Sequence, residues 1–206
     1  MCTMFSLFSL VWMEAHAARL EKGFLEVSTK VNNRISILSS FPSTRCPAAS
    51  RKVTNGIEVI ASSIGAVEIE VVVYSIRIRL LKSGEDGYLS PSERGFQTCQ
   101  LRSRHWRIYD SLSGEVDRVS GEGVIGLYPL LFEGGYRNDQ QNMFGSIENG
   151  EERTEIFQYQ SCANIQEGTF QGKIEFVPGS LGEPTGDAFF VDLAEVALKQ
   201  QPDICY

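Results

Sequence analysis

Seven basic side chains, Arg77, Arg79, Lys82, Arg94, Arg102, Arg104 and Arg107, fall within thirty-one positions, opposed there only by Glu85, Asp86 and Glu93. A glycine cluster follows, Gly121-x-Gly123-x-x-Gly126. Together these residue types can hold an anion, because guanidinium groups pair with phosphate or carboxylate and a glycine loop can aim backbone N–H groups at one. The spacing also matches the dinucleotide fingerprint. That fingerprint works only where a strand runs in and a helix opens within the glycines. Here Leu127-Tyr128-Pro129 cannot open a long helix. The glycines are therefore expected to shape a tight loop between strands first and to bind second. The candidate anion- or partner-binding set is Arg104, His105, Arg107, Gly121, Gly123 and Gly126.

Other chemistries lack their parts. The histidines are His16 and His105, and no Gly-x-Ser-x-Gly occurs. A nucleophile needs a base beside it and a group orienting that base, so no catalytic residue is assigned and the chain is read as a non-enzyme. The cysteines, Cys2, Cys46, Cys99, Cys162 and Cys205, are widely spaced and odd in number. No Cys-x-x-Cys pair exists from which to build a zinc site. No metal and no cofactor is expected, and the thiols are read as reduced. Cys99 and Cys162 are expected as small buried hydrophobes at strand ends. A net charge of −7 over 206 residues argues against a duplex nucleic-acid binder.

The elements that must position these residues are mostly strands. Residues 1–50 carry five basic and three acidic side chains, whereas residues 51–206 carry 14 basic and 23 acidic. That shift places a boundary near residue 50. Before it, Met4–Met13 is an apolar run too short to span a bilayer. Glu14–Val31 has helical spacing, with Ala17, Leu20, Phe24, Val27 and Val31 in phase. A Ser/Pro-rich stretch follows as linker, and residues 1–50 are read as a helical or disordered extension, a targeting segment or the remnant of another domain. They are expected to be dispensable for folding.

Residues 51–206 read as one all-β domain. The first strand is short, Ile57–Ala61. Val67–Leu81 is one long run whose apolar phase flips near Val73–Tyr74, which suggests a bulge. Leu101–Asp110 pairs back onto Glu115–Val119 across Ser113-Gly114. Thr154–Ser161 places Phe157 and Tyr159 on one face. In Thr169–Val177, Phe170, Ile174 and Phe176 alternate with Gln171, Lys173 and Glu175. Ala188–Lys199 carries a second phase slip after Leu193. About seven such strands with Gly/Pro turns suggest a β-sandwich. Its expected core is Trp106, Val71, Ile78, Phe157, Phe170, Ile174 and Phe176, with His105 facing away from Trp106. Ser83–Gly95 and Gly134–Glu152 read as long exposed loops.

Several blocks resemble one family in both content and order. They are Cys99-Gln100-Leu101-Arg102-Ser103-Arg104-His105-Trp106-Arg107-Ile108, then Gly114-Glu115-Val116, Val119–Gly126 and Pro129-Leu130-Leu131. Phe157-Gln158-Tyr159-Gln160-Ser161-Cys162 and Gly168-Thr169-Phe170-Gln171-Gly172 complete the series. From about Val53 to Lys199 the chain resembles the ApaG domain family. It looks most like eukaryotic members, found in F-box proteins and a DNA-polymerase-delta-interacting protein. The resemblance implies an immunoglobulin-like or fibronectin type III-like sandwich and no enzymatic activity. It departs from the family at Glu133-Gly134-Gly135, which opens an insertion of nearly twenty residues, and no F-box pattern precedes the domain.

Two functional readings follow. The first is a non-catalytic ApaG-type module that binds a protein partner. The second is a protein that responds to an anion, a nucleotide or a divalent cation through the Gly121–Gly126 loop, in keeping with cobalt resistance and magnesium efflux in bacterial members. Both readings place the protein inside the cell, in cytoplasm or nucleus, or in plastid or mitochondrion if residues 1–50 are a transit peptide. Neither involves duplex nucleic acid or a membrane span.

Overall fold

The computed structural model describes residues 14, 16–27, 40–46, 48–66, 71–141, 146–153 and 156–200. The Met4–Met13 run and the Ser/Pro linker up to residue 39 lie outside the described residues, as do Val67 and Ile69. Fourteen strands run through the described residues. The first two are β1 (Leu25–Val27) and β2 (Ser40–Pro42), paired only with each other. One face of the sandwich is a four-stranded sheet. It holds β3 (Ala48–Thr54), β4 (Ile57–Ala66), β5 (Val71–Leu80) and β12 (Phe157–Ala163), in the order β12-β5-β4-β3.

The other face is an eight-stranded sheet centred on β6 (Cys99–Asp110) and β13 (Glu167–Pro178), with β14 (Phe189–Lys199) outside β13. Beyond β6, β7 (Val116–Glu122) pairs along its C-terminal half, and β8 (Leu127–Phe132) pairs at its start. The sheet continues into β9 (Gly135–Gln141), flanked by β10 (Ile147–Glu148) and β11 (Glu152–Arg153). The fold is an all-β sandwich.

Period-2 alternation places the core between the sheets. Trp106 is 2% exposed and meets the Phe170 ring edge-on at 5.3 Å. Tyr74 of the opposite sheet stacks on Phe170 at 4.8 Å. Ile78, Phe157, Ile174 and Phe176 are buried with them. Gly172 lies opposite Trp106 on β13, and a Cβ there would collide with the indole. The missing side chain makes the room the tryptophan fills.

Several expectations are corrected. The expected short first strand runs on to Ala66 as β4, the described part of the expected long run is β5, and the pairing of β5 with both neighbours is unbroken, so the bulge at Val73–Tyr74 is absent. The buried positions of β5 include Val72, Tyr74, Ile76, Ile78 and Leu80, and Val71 is only half-buried. The helical stretch ends early. Residues 16–21 are helical, Gly23 turns the chain at φ 71°, and Leu25–Val27 is strand. Val31 lies outside the described residues. The slip in β14 is real: register shifts between Phe170 and Gly172 of β13, after which Val196 and Leu198 are buried.

The two segments expected as loops differ. Ser83–Gly95 contains a short helix, Pro91–Arg94, closed by a capping box between Ser90 and Glu93. Its Arg94 is buried, with Nε donating to the Phe96 carbonyl and Nη2 to Glu133. Gly134–Glu152 extends the large sheet through β9. Polar residues serve there because Asp139, 1% exposed, accepts from Gln100, Arg137 and the Gly150 N–H.

The division expected at residue 50 falls inside β3. Just upstream, the Pro42 carbonyl accepts from buried Arg77 at 2.9 Å and from Ser62 at 2.7 Å.

Candidate functional site

The six sequence-derived candidates separate onto the two faces of the large sheet. Arg104 lies opposite Gly121 on β7 and Ile174 on β13, whose side chain is buried in the core. Its Nη1 donates to the Gly123 carbonyl at 2.6 Å. The guanidinium thus serves as a clamp on the glycine loop. The loop closes on itself: the Gly123 N–H donates to Arg102, and Val124 and Leu127 exchange both N–H···O bonds. Ile125 (φ 52°) and Gly126 (φ 72°) form the tip between them, the arrangement of a type I′ turn. The N–H groups of Gly123, Val124 and Leu127 are spent on this turn and are unavailable as a phosphate cradle.

His105 and Arg107 point the other way, out from the sandwich. There β7, β6, β13 and β14 present neighbouring rows. In one row Arg118 of β7 lies directly opposite Arg107 of β6, with Gln171 of β13 beyond. In the next, Ser120, His105, Lys173 and Asp192 follow one another across four strands. Lys52 of β3 closes the row, its Nζ 2.9 Å from Asp192. These side chains line a shallow trough of about 500 Å³. Arg107, Arg118 and Lys173 are exposed.

Apolar side chains mark both ends of the trough. Tyr109 and Val116 face each other across β6 and β7, each 42% exposed. At the other end Phe190, 50% exposed, meets the His105 ring at 5.8 Å and lies under the Lys173 ammonium at 5.9 Å. Aromatic and arginine side chains on one accessible patch are the residue types that carry binding energy at protein interfaces.

A hydrogen-bonded chain runs along one side of the patch. Ser103 donates to Glu175 at 2.7 Å, so its oxygen accepts from His105 Nε2 at 2.9 Å, and His105 Nδ1 then accepts from Ser120 at 3.2 Å. The sequence did not reveal Ser120 beside His105. Residues fifteen apart meet there because the Ser113-Gly114 turn folds β7 back onto β6. The chain orients His105 but lacks the parts of a hydrolytic site. Glu175 reaches the imidazole only through Ser103, and Ser120 lies exposed on a strand face with no oxyanion donors converging on it.

Cys99 is buried, and burial pushes its thiol far above the usual range, with Arg94 opposing only in part. It is an inert core residue, as expected. Cys162 corrects the expectation of burial: it is exposed, beside Asp117 and Ser161 at the open edge between β7 and β12. Among the described residues, no group of three or more His, Cys, Asp or Glu is placed to hold a metal ion. No helix among them is long and apolar enough to cross a membrane.

Residues 70–137 match the family model of the ApaG domain. The chain is 35% identical to the F-box protein SKIP16 of Arabidopsis thaliana over 208 aligned residues, covering 96% of this chain and 41% of that protein. A shorter stretch of 40 residues is 52% identical to Protein ApaG of Bradyrhizobium sp., covering 19% of this chain and 30% of that one. Another of 32 residues is 59% identical to human polymerase delta-interacting protein 2, covering 16% and 8%. The chain thus spans less than half the length of each of these relatives. A solved structural-genomics target, SoR45, is 20% identical, with a TM-score of 0.47 over 72% of this chain and 89% of that one.

Proposed function

This chain carries an ApaG domain, matched over residues 70–137, and we propose that it works as a non-catalytic module that binds a protein partner through the outer face of its large sheet. The observation that carries the reading is the patch itself. Phe190, Tyr109 and Val116 leave large apolar surface in water on either side of an arginine pair. A sheet face with no partner of its own ordinarily carries polar residues there. The relatives lend support, since two of them are named for assembly with other proteins, an F-box protein and a polymerase-interacting protein. An intracellular site of action goes with the same reading.

The test is capture of partners by the full chain from nuclease-treated extract of its source cells. The chain is compared with a Phe190→Ser, Arg118→Glu variant and with Glu183→Ala, which changes an exposed loop at the opposite end of β13. Stoichiometric partners retained by the chain and by Glu183→Ala, and lost from the face variant, are the expected result. Equal recovery by all three would refute use of this face.

A further inference from the structure

We propose that the partner presents an extended acidic segment, with carboxylates seated on the Arg107–Arg118 pair and apolar residues on either side of them. The inference rests on the protein-binding reading above and specifies its chemistry. Its basis is an arrangement that costs stability when left alone. Arg107 and Arg118 are direct cross-strand neighbours, which sets their Cβ atoms about 4.5–5.5 Å apart, and like charges so placed repel. Two other cations have acids to relieve them, Lys52 with Asp192 at 2.9 Å and Arg102 with Glu175 at 3.8 Å, and Lys173 lies over the Phe190 ring. Among the described residues, the side chains of Arg107 and Arg118 make no hydrogen bond or ion pair. This holds in a chain of net charge −7, where acids to oppose them are plentiful. Two unopposed guanidinium forks side by side suit carboxylates, which they bind in bidentate fashion.

The flanks decide what carries those carboxylates. From the Tyr109 row to the Ser103 row, beside which Phe190 lies, β6 runs six residues, or about 20 Å. A free phosphate or a lipid headgroup would occupy the arginines and leave Phe190, Tyr109 and Val116 in water. A peptide segment of six or seven residues, acidic at its centre and apolar at its ends, covers the whole face.

The experiment is fluorescence anisotropy on the full chain. One probe is a labelled peptide of about twelve residues with Glu at its centre and Leu towards both ends, and the other is its counterpart with Lys in place of Glu. The chain is expected to bind the Glu peptide and to ignore the Lys peptide, with affinity falling as salt rises. Replacing both arginines, Arg107→Glu with Arg118→Glu, should weaken the Glu peptide at least about tenfold and create binding of the Lys peptide. Both positions are exposed, and an unchanged melting temperature confirms that the variant folds. Phe190→Ser with Tyr109→Ser should weaken the Glu peptide without altering the preference between peptides.

Equal binding of the two peptides, or Glu-peptide binding unmoved by the arginine reversal, overturns the proposal. So does displacement by millimolar inorganic phosphate, or equal binding to phosphatidylserine vesicles, since either would make the pair a general anion site. If no acidic peptide binds while the Phe190→Ser, Arg118→Glu variant still loses its captured partners, the protein-binding reading survives and its acidic chemistry fails.

Discussion

Gly123→Ala isolates what the glycine loop is for. Gly123 has φ +58°, and a Cβ there would lie 2.7 Å from the Leu127 carbonyl oxygen and 3.0 Å from the Tyr128 ring. The left-handed backbone costs a non-glycine residue about 1–2 kcal/mol. The Leu127 carbonyl cannot retreat, because it accepts from the Val124 N–H at 2.8 Å. Tyr128 is buried, and its hydroxyl bonds Gln141 at 3.0 Å. Overpacking against such fixed neighbours adds roughly 1–3 kcal/mol. The sum is about 2–5 kcal/mol, and in a chain of this size each kcal/mol shifts the melting temperature by about 2–4 °C. Thermal unfolding followed by circular dichroism, with no ligand present, should therefore show a drop of about 4–20 °C. The next residue but one provides an internal control of opposite sign. Ile125 is a β-branched residue at φ 52° and 65% exposed. Ile125→Asn should relieve strain and stabilise by about 1 kcal/mol. A Gly123→Ala protein melting within a degree of the parent would refute the steric argument.

Three further outcomes are expected. Trp106→Ala should cost about 3–5 kcal/mol by urea unfolding, and a loss below about 1 kcal/mol would contradict its place in the core. Burial alone would raise the Glu58 pKa, but hydrogen bonds from Arg79 and Arg51 outweigh it and hold the carboxyl below its ordinary value. The stability it contributes is present above the unfolded-state Glu pKa and lost as pH falls through the lower folded value, so Glu58→Gln should flatten the acid limb of stability against pH; an unchanged limb would show the carboxylate to be unpaired. Starting the chain at Arg51 removes the first residues of β3 and the Pro42 carbonyl that accepts from Arg77 and Ser62, a cost of about 1–3 kcal/mol for the lost buried hydrogen bonds. A chain starting at Ser40 should melt higher than one starting at Arg51, and equal melting would show the upstream segment to be dispensable.

The central strands were legible because each buries one face. Phe170, Ile174 and Phe176 alternate with Gln171, Lys173 and Glu175, and the pattern predicts both core and surface. β5 misleads because both its faces are largely covered, so Val71 and Val73 look as apolar as Val72 and Tyr74, and the phase cannot be read. β9 was invisible for the opposite reason. Gly135-Tyr136-Arg137-Asn138-Asp139-Gln140-Gln141 holds its place through the buried Asp139 network and strand pairing rather than an apolar face. Of the candidate site, His105 and Arg107 were legible from their alternation with Trp106. Arg118 was not, being eleven residues away. The turn at Ser113-Gly114 carried the missing signal, since folding β7 back about it sets Arg118 opposite Arg107 and Ser120 opposite His105. Arg104 was grouped with Arg107 by proximity in sequence, although an odd separation on one strand puts two residues on opposite faces.

Photo-crosslinking from position 190 tests the account most directly. With benzoyl-phenylalanine in place of Phe190, irradiation in extract of the source cells should give discrete protein adducts of the full chain. The same photoprobe at Ile156, an exposed residue just before β12 of the opposite sheet, should give none. Adding Arg107→Glu with Arg118→Glu to the position-190 probe should abolish the adducts. Adducts from position 156 and not from 190 would contradict the assignment of the partner to the outer face of the large sheet.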